Sequence, residues 1–215
     1  MRRKEKFYTG NFFHIFNKSI ANYTIFKDLD NCIRFFQNLG YYNQQTILER
    51  ISTFLEKNKD YRPDVLLPDD RHQVKIISYC IMPDHYHLLV KILKESCISQ
   101  YISNVENSYS HFFNIKFKRK GPLWQSRFKA VRIKNNEQLL HVSRYIHLNP
   151  TTANLANKPE EWIFSSYREI INNPKILKEK ITEISISNNL LYKRFVENNI
   201  DYQRKLKLIK KLVLE

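Results

Sequence analysis

His85 and His87 stand two residues apart in the stretch Met82-Pro83-Asp84-His85-Tyr86-His87-Leu88-Leu89-Val90. In a strand, residues i and i+2 share a face. The opposite face would carry Tyr86, Leu88, Val90 and Ile92, an unbroken apolar row. Two neutral imidazoles on one face make two-thirds of a metal site, although a His-x-His pair on a strand also fits a simple surface or packing role. The chain holds 13 tyrosines, a second source of chemistry. A phenol can attack a phosphodiester and keep the bond energy as a phosphotyrosine for later rejoining. With a pKa of about 10 it needs help near neutral pH, which a divalent cation supplies by polarising and fixing the phosphate. Two histidines and one oxygen ligand suit Mn²⁺ or Mg²⁺. The third source is a basic stretch, Lys116 to Lys134, with Lys118, Arg119, Lys120, Arg127, Lys129 and Arg132 inside it and no acid. Phe117, Trp124 and Phe128 are interleaved, a pattern that pairs phosphate contacts with base stacking. Trp124 fits a core anchor as well as a stacking platform.

These groups need elements to carry them. Val74 to Cys80 is rich in β-branched and aromatic residues and reads as a strand, with Pro83-Asp84 as the turn into the histidine strand. Asp84 reads as a turn residue. Phe7 to Ile20 reads as a first strand with Phe12, His14 and Phe16 on one face, His14 being a strand histidine near the core edge. Asp28 or Asp30 caps a helix running to Leu39 and stopped by Gly40. Thr46 to Lys57 reads as a second amphipathic helix with Ile47, Leu48, Ile51, Phe54 and Leu55 on one side. A loop with Pro63 and Pro68 follows. Ser99 to Phe117 reads as a helix with Tyr109 on its apolar stripe, while Tyr101 stays open as a candidate nucleophile. Asn136 caps a helix from Glu137 to about Leu148, ended by Pro150. Leu139, Val142 and Ile146 form its buried side, Tyr145 and Asn149 share a different side with His141 one turn before, and the offset His147 reads as a surface residue. A loop with Trp162, Phe164 and Tyr167 leads to two amphipathic helical stretches, Asn188 to Glu197 and Tyr202 to Val213.

The chain has 215 residues with 42% hydrophobic and 13% aromatic content, enough for one core with an elaboration. Its formal charge of +15 calls for a polyanionic partner. No apolar run is long enough to span a bilayer, and no apolar signal core follows the basic Met1-Arg2-Arg3-Lys4-Glu5-Lys6. Cys32, Cys80 and Cys97 are scattered and form no Cys-x-x-Cys, which fits idle thiols in a reducing cytoplasm. The best boundary lies near Asn172-Pro174, which gives a domain over 1–171 and a basic helical extension over 172–215.

The motifs fall in an order that resembles the HUH-type single-tyrosine transposases of the insertion-sequence (IS200-like) class, and most closely the REP-associated tyrosine transposases. They are Phe13-His14-Ile15-Phe16-Asn17-Lys18, Ser78 to Val90, Ser108-Tyr109 to Asn114, Gly121-Pro122-Leu123-Trp124-Gln125-Ser126-Arg127-Phe128, Tyr145-Ile146-His147-Leu148-Asn149-Pro150, and Glu161-Trp162 to Ser165-Ser166-Tyr167. Together they cover most of residues 7–170. The resemblance implies an α+β fold, an antiparallel sheet flanked by helices on the ferredoxin-like or RRM-like plan. It implies that His85 and His87 bind the metal, that Tyr145 is the nucleophile, and that Asn149 is the polar third ligand. It further implies single-stranded DNA next to a hairpin as substrate. Tyr86 is a large version of the hydrophobic residue that sits between the two histidines in the family; set against the family's compact form, the helix and loop from Tyr41 to Gln73 look like a helical insertion (about 41–73), and the tail beyond Asn172 matches no motif.

Three function classes follow: a metal-dependent DNA strand transferase working as monomer or homodimer, a non-catalytic or domesticated DNA- or RNA-binding protein on the same fold, and a metal hydrolase using water. The intact His-His-Tyr-Asn set argues against the second, and the shortage of further carboxylate or histidine ligands near the pair argues against the third. Covalent capture of DNA separates the first from both others.

Overall fold

Alternating burial sets the sheet. In the computed structural model, which describes residues 6–67, 71–173, 176, 183, 186 and 188–214 (the helix alone for 208–214), strand β1 is Phe12–Lys18. Its Phe13, Ile15 and Asn17 are buried while Phe12, His14, Phe16 and Lys18 are half-buried. Helix α1 (Leu29–Tyr42) and the short α2 (Ile51–Lys57) lead to β2 (Val74–Ile81), which turns at once into β3 (His85–Ile92). Then come α3 (Ile98–Lys116), β4 (Lys129–Ile133) and α4 (Asn136–Thr152). The chain continues through α5 (Tyr167–Asn172), α6 (Asn189–Glu197) and α7 (Ile200–Leu214).

The strand order is β2-β3-β1-β4 with every neighbouring pair antiparallel. This is the β-α-β-β-α-β arrangement of a ferredoxin-like sheet, an α+β fold as the sequence suggests. Helices α1 and α3 pack together on one face: Phe35 lies 5.0 Å from the Tyr86 ring, and the Tyr86 hydroxyl donates to Glu106 Oε1 at 2.7 Å. Helix α4 crosses β2 and β3 on the other face. Cover on both sides explains why β2 is buried along its whole length. Among the described residues, no helix is long and apolar enough to cross a membrane.

Several local expectations give way to tertiary contacts. The first strand is Phe12–Lys18, shorter than Phe7 to Ile20. Gly40 does not stop α1 but lies inside it, because the Pro63 ring packs where a side chain would stand; a Cβ on Gly40 would fall 2.2 Å from Pro63 Cβ. The second helix starts at Ile51, not Thr46, and Leu48 is 90% exposed. Backbone bonds hold the preceding segment extended: Gln45 N donates to Arg71 O at 3.0 Å and Gln44 bridges to His72. Helix α4 is capped by the Asn135 side chain, which accepts from Gln138 N, not by Asn136. It runs through Pro150 to Thr152. The missing proline N–H falls in the last turn, where Ala153 N to Asn149 O and Leu155 N to Pro150 O close the end. Met1–Glu5 of the basic start, and Pro174 beside the suggested 171/172 boundary, lie outside the described residues.

His147 is not a surface residue. It is fully buried, because the segment after α4 and helix α6 fold over that side. Its Nε2 is 2.9 Å from Ser166 Oγ and its Nδ1 is 2.8 Å from the Tyr192 hydroxyl. Ser166 Oγ in turn accepts from Tyr79 N at 2.8 Å, and the Tyr192 hydroxyl meets Ser143 on α4. Burial holds the His147 imidazole down to about 3. A histidine whose folded pKa is depressed adds stability above its unfolded value of about 6.5 and loses it as pH falls toward the folded value. Between pH 7.5 and pH 5 this one group should remove about 2 kcal/mol from the unfolding free energy. Urea unfolding at the two pH values measures it, and equal or greater stability at pH 5 would contradict the buried neutral imidazole.

Candidate active site

Register aligns the chemistry on the α4 face. Phe16 pairs with His87, Lys18 with His85, and Phe16 also with Lys129 on β4. Paired residues share a face, so His14, Phe16, Lys18, His85, His87 and Lys129 form one patch. Tyr145 projects onto it from α4, edge-on to His87 (ring centroids 5.6 Å, 81°) and to His14 (6.0 Å, 74°). A pocket of about 250 Å³ is lined by Phe16, Asn17, Lys18, His85, His87, Gln125, Ser126, Lys129 and Tyr145. The predicted histidine pair and the predicted tyrosine, 60 and 58 positions apart in sequence, are thus brought to one hollow.

Each histidine of the pair is held through Nδ1. Asp84 Oδ1 is 2.5 Å from His85 Nδ1, and Asp84 Oδ2 is 3.2 Å from Lys18 Nζ. Asp84 therefore does more than make the turn: it fixes the first imidazole. Burial opposes ionisation of Asp84, but the His85 hydrogen bond and charge, with Lys18, outweigh it and hold the carboxyl below its usual range. Burial lowers the pKa of His85, Asp84 opposes that, and the charges of Lys18 and of Lys207 on α7 add to it. His87 is 6% exposed, and its Nδ1 lies 2.9 Å from His14 Nε2. Burial, followed by the neighbouring His14 and His85, pushes His87 well below the usual value, and burial takes His14 down to about 4. Each of these shifts favours the neutral ring, the state in which an imidazole ligates a metal.

Tyr145 is 40% exposed. Burial of its phenol end raises its pKa, and a hydrogen bond from the Asn149 side chain works against that rise. Asn149 Nδ2 also donates to the Tyr145 backbone carbonyl at 3.0 Å. Asn149 thus attends the tyrosine one turn away, while the amide that lines the pocket beside both histidines is Gln125. Tyr101, open on sequence grounds, is 1% exposed and donates to Leu39 O at 2.9 Å on the opposite side of the sheet. Tyr109 is fully buried and donates to Ile25 O at 2.7 Å.

The donor set suits a divalent cation in part. Nδ1 of both imidazoles is taken by Asp84 or His14, which leaves Nε2 of each, and Gln125 in the pocket lining can add an amide oxygen; Asn149, the expected third ligand, is not among the lining residues. Among the described residues, no group of three His, Cys, Asp or Glu is placed to hold a metal. A divalent cation here would have two imidazole nitrogens and an amide oxygen from the protein, and its remaining positions would need other oxygen donors.

The basic residues separate. Lys129 lines the pocket. Arg132 faces the other side of β4, where its Nη2 donates to Asn11 Oδ1 at 3.2 Å. Arg119 closes the turn after α3 through Asn114 Oδ1 at 3.0 Å and Pro122 O at 2.6 Å, with Lys118 and Lys120 exposed beside it. Arg127 lines a broad groove between α3 and the 122–128 segment with Trp124 and Phe128. Trp124 is anchored: its indole N–H donates to Glu106 O at 3.2 Å and its ring meets Tyr86 at 5.6 Å. Sequence reading weighs His14 and Asp84 for the site but prefers a core-edge strand histidine and a turn residue, and it does not single out Gln125 or Lys18. The period-two alternation of β1, which sets His14, Phe16 and Lys18 on one face, is the signal that could have found His14 and Lys18.

Comparison with known proteins agrees with this geometry. Residues 68–149 match the family model described as "Transposase IS200 like", a span that takes in β2, β3, α3, β4 and most of α4 with Tyr145. A curated relative from Haemophilus influenzae, "Putative REP-associated tyrosine transposase", is 23% identical over 108 residues, 46% of this chain. The match spans 61% of that relative's length. A solved REP-associated tyrosine transposase bound to a REP hairpin superposes with a TM-score of 0.56 at 15% identity, over 80% of this chain and 86% of that one, and shows the shared fold. From β2 to the helix that bears Tyr145, the chain matches the IS200-like transposase family model, and it is similar to the REP-associated tyrosine transposases.

Proposed function

We propose that this protein cleaves and rejoins single-stranded DNA through Tyr145, beside hairpin structures, and that it acts in the cytoplasm. One observation carries the reading. The Tyr145 phenol stands edge-on over His87 in the pocket that also holds His85, Lys18 and Lys129. In the proposed step the Tyr145 oxygen bonds to the scissile phosphorus and the bond to the 3′-oxygen breaks. The phenol loses a proton and the leaving 3′-oxygen gains one, so the exchange neither consumes nor releases acid. One phosphodiester is exchanged for another, and rejoining requires no nucleotide. Mn²⁺ or Mg²⁺ held by His85 and His87 with Asn149 would polarise the phosphate. Lys18 and Lys129 line the same pocket and would place positive charge where the pentacoordinate phosphorus centre becomes more anionic. Asn149 hydrogen-bonds the phenol and so favours the phenolate that attacks. The solved structure with 15% identity is described as bound to a REP hairpin, which supports a hairpin-flanked substrate for this chain.

The test is capture. Protein incubated with hairpin-flanked single-stranded DNA and Mn²⁺ should form a covalent adduct, with a free 3′-hydroxyl on the released strand. Free DNA ends without an adduct would point to water as nucleophile, and no cleavage with intact binding to the non-catalytic reading.

The charge of the chain sets a second expectation. Several phosphates must be neutralised at once, so DNA affinity should fall steeply and linearly in log–log form as salt rises. Reversing Lys120, Arg127 and Lys129 should reduce that slope. An affinity insensitive to salt, or equal binding of plain duplex, would overturn the substrate assignment.

A further inference from the structure

We infer that His14 is a positioning residue for the metal ligand His87: by accepting the His87 Nδ1–H, it fixes the tautomer that turns the His87 Nε2 lone pair toward the pocket. The inference rests on the metal reading of the site. It stands on a cross-strand hydrogen bond of 2.9 Å between His14 Nε2 and His87 Nδ1, built by the pairing of β1 with β3. The two rings are nearly parallel, with centroids 5.1 Å apart and planes at 28°. Tyr145 covers both of them edge-on.

The logic is that of a two-position proton. A neutral imidazole carries one N–H, and only its bare nitrogen ligates a metal. If His87 donates from Nδ1, its Nε2 is bare and competent. If instead His14 donates from Nε2, the His87 proton must sit on Nε2, and that ring cannot ligate. The number of bound protons is the same in both arrangements, so the choice is one of hydrogen-bond direction. His85 has the stronger version of the same device, since Asp84 is a carboxylate that can only accept. His14 does for the buried ring what Asp84 does for the half-buried one, without bringing a charge into a site where His87 is 6% exposed.

Two substitutions separate positioning from packing. His14→Phe keeps an aromatic ring against His87 and Tyr145 but removes the acceptor. His14→Gln loses the ring but places an amide oxygen near the position of the imidazole Nε2. Mn²⁺ titration by calorimetry, in the absence of DNA, should show affinity weakened by about 10- to 100-fold in His14→Phe and largely restored in His14→Gln. A packing role predicts the reverse order, and that order would overturn the inference. Wild-type protein that binds no Mn²⁺ would sink the metal reading itself; wild type that binds, with His14→Phe binding equally well, would sink this inference alone. If His14→Phe does not fold, nitrogen-15 spectra of the wild-type histidines give the answer directly. A His87 ring protonated on Nδ1 supports the inference and one protonated on Nε2 refutes it.

Discussion

Tyr145→Phe is expected to fold, to bind Mn²⁺ and DNA as wild type does, and to form no covalent adduct, with strand cleavage falling by roughly 10⁴-fold or more. The substitution removes one oxygen and keeps the ring that packs edge-on against His87 and His14. The residue is 40% exposed, so little packing is at stake. The side chain that its hydroxyl leaves behind, Asn149, still has the Tyr145 backbone carbonyl as acceptor at 3.0 Å. Gel-resolved adduct formation measures the loss, and mass spectrometry of the digested wild-type adduct should place the modification on Tyr145. Cleavage by the phenylalanine variant at the wild-type rate would transfer the nucleophile's role to water. A modified peptide bearing Tyr101 would contradict the geometry, which buries that phenol behind the sheet.

His85→Ala and His87→Ala are both expected to abolish cleavage and to weaken Mn²⁺ binding by at least about 100-fold. They should differ in stability. His85 is bound to Asp84, which keeps its ion pair with Lys18 when the imidazole is gone. His87 is 6% exposed and is the partner of His14. Its truncation leaves a half-buried ring nitrogen unpaired under Tyr145, which costs about 1–3 kcal/mol. Calorimetric titration and urea unfolding report the two effects separately. Full adduct formation by the double variant in EDTA would show that the imidazoles serve packing, not chemistry.

Strands β2 and β3, and β1 apart from its ends, were legible because each carries its strand signature within itself, whereas β4 lay inside the basic stretch and was not read as a strand. The His85-x-His87 face, the apolar Tyr86-Leu88-Val90 row and the Tyr145–Asn149 side of α4 all follow from local spacing. What stayed hidden depends on contacts between distant segments. His14 acquires its partner only when β1 settles beside β3, and the two residues are separated by 73 positions. Gly40 carries the usual signature of a helix stop, yet Pro63 from a later loop gives it a different purpose. His147 lies on a side of α4 that looked exposed because α6, the element that covers it, is some forty residues further on. Leu48 completed an amphipathic pattern that the backbone pairing of Gln45 with Arg71 overrides. Three of the basic residues marked for DNA, Arg119, Arg127 and Arg132, could not be sorted by charge alone, since one closes a turn, one lines a groove and one lies behind β4.

The buried His147 network has a consequence for how this chain tolerates change over generations. Two independent segments grip the helix that carries Tyr145: Ser166 from the loop before α5, and Tyr192 from α6. Arg204 on α7 adds a third hold, through Thr151 O at 3.0 Å. Residues beyond position 172 are thereby drawn into the inheritance of the nucleophile's placement. Leu190 and Leu191 are exposed, whereas drift at Tyr192 or Arg204 would need a matching change on α4. A lineage that exchanged its tail for another would have to carry these contact points along, or lose the alignment of a phenol none of them touches.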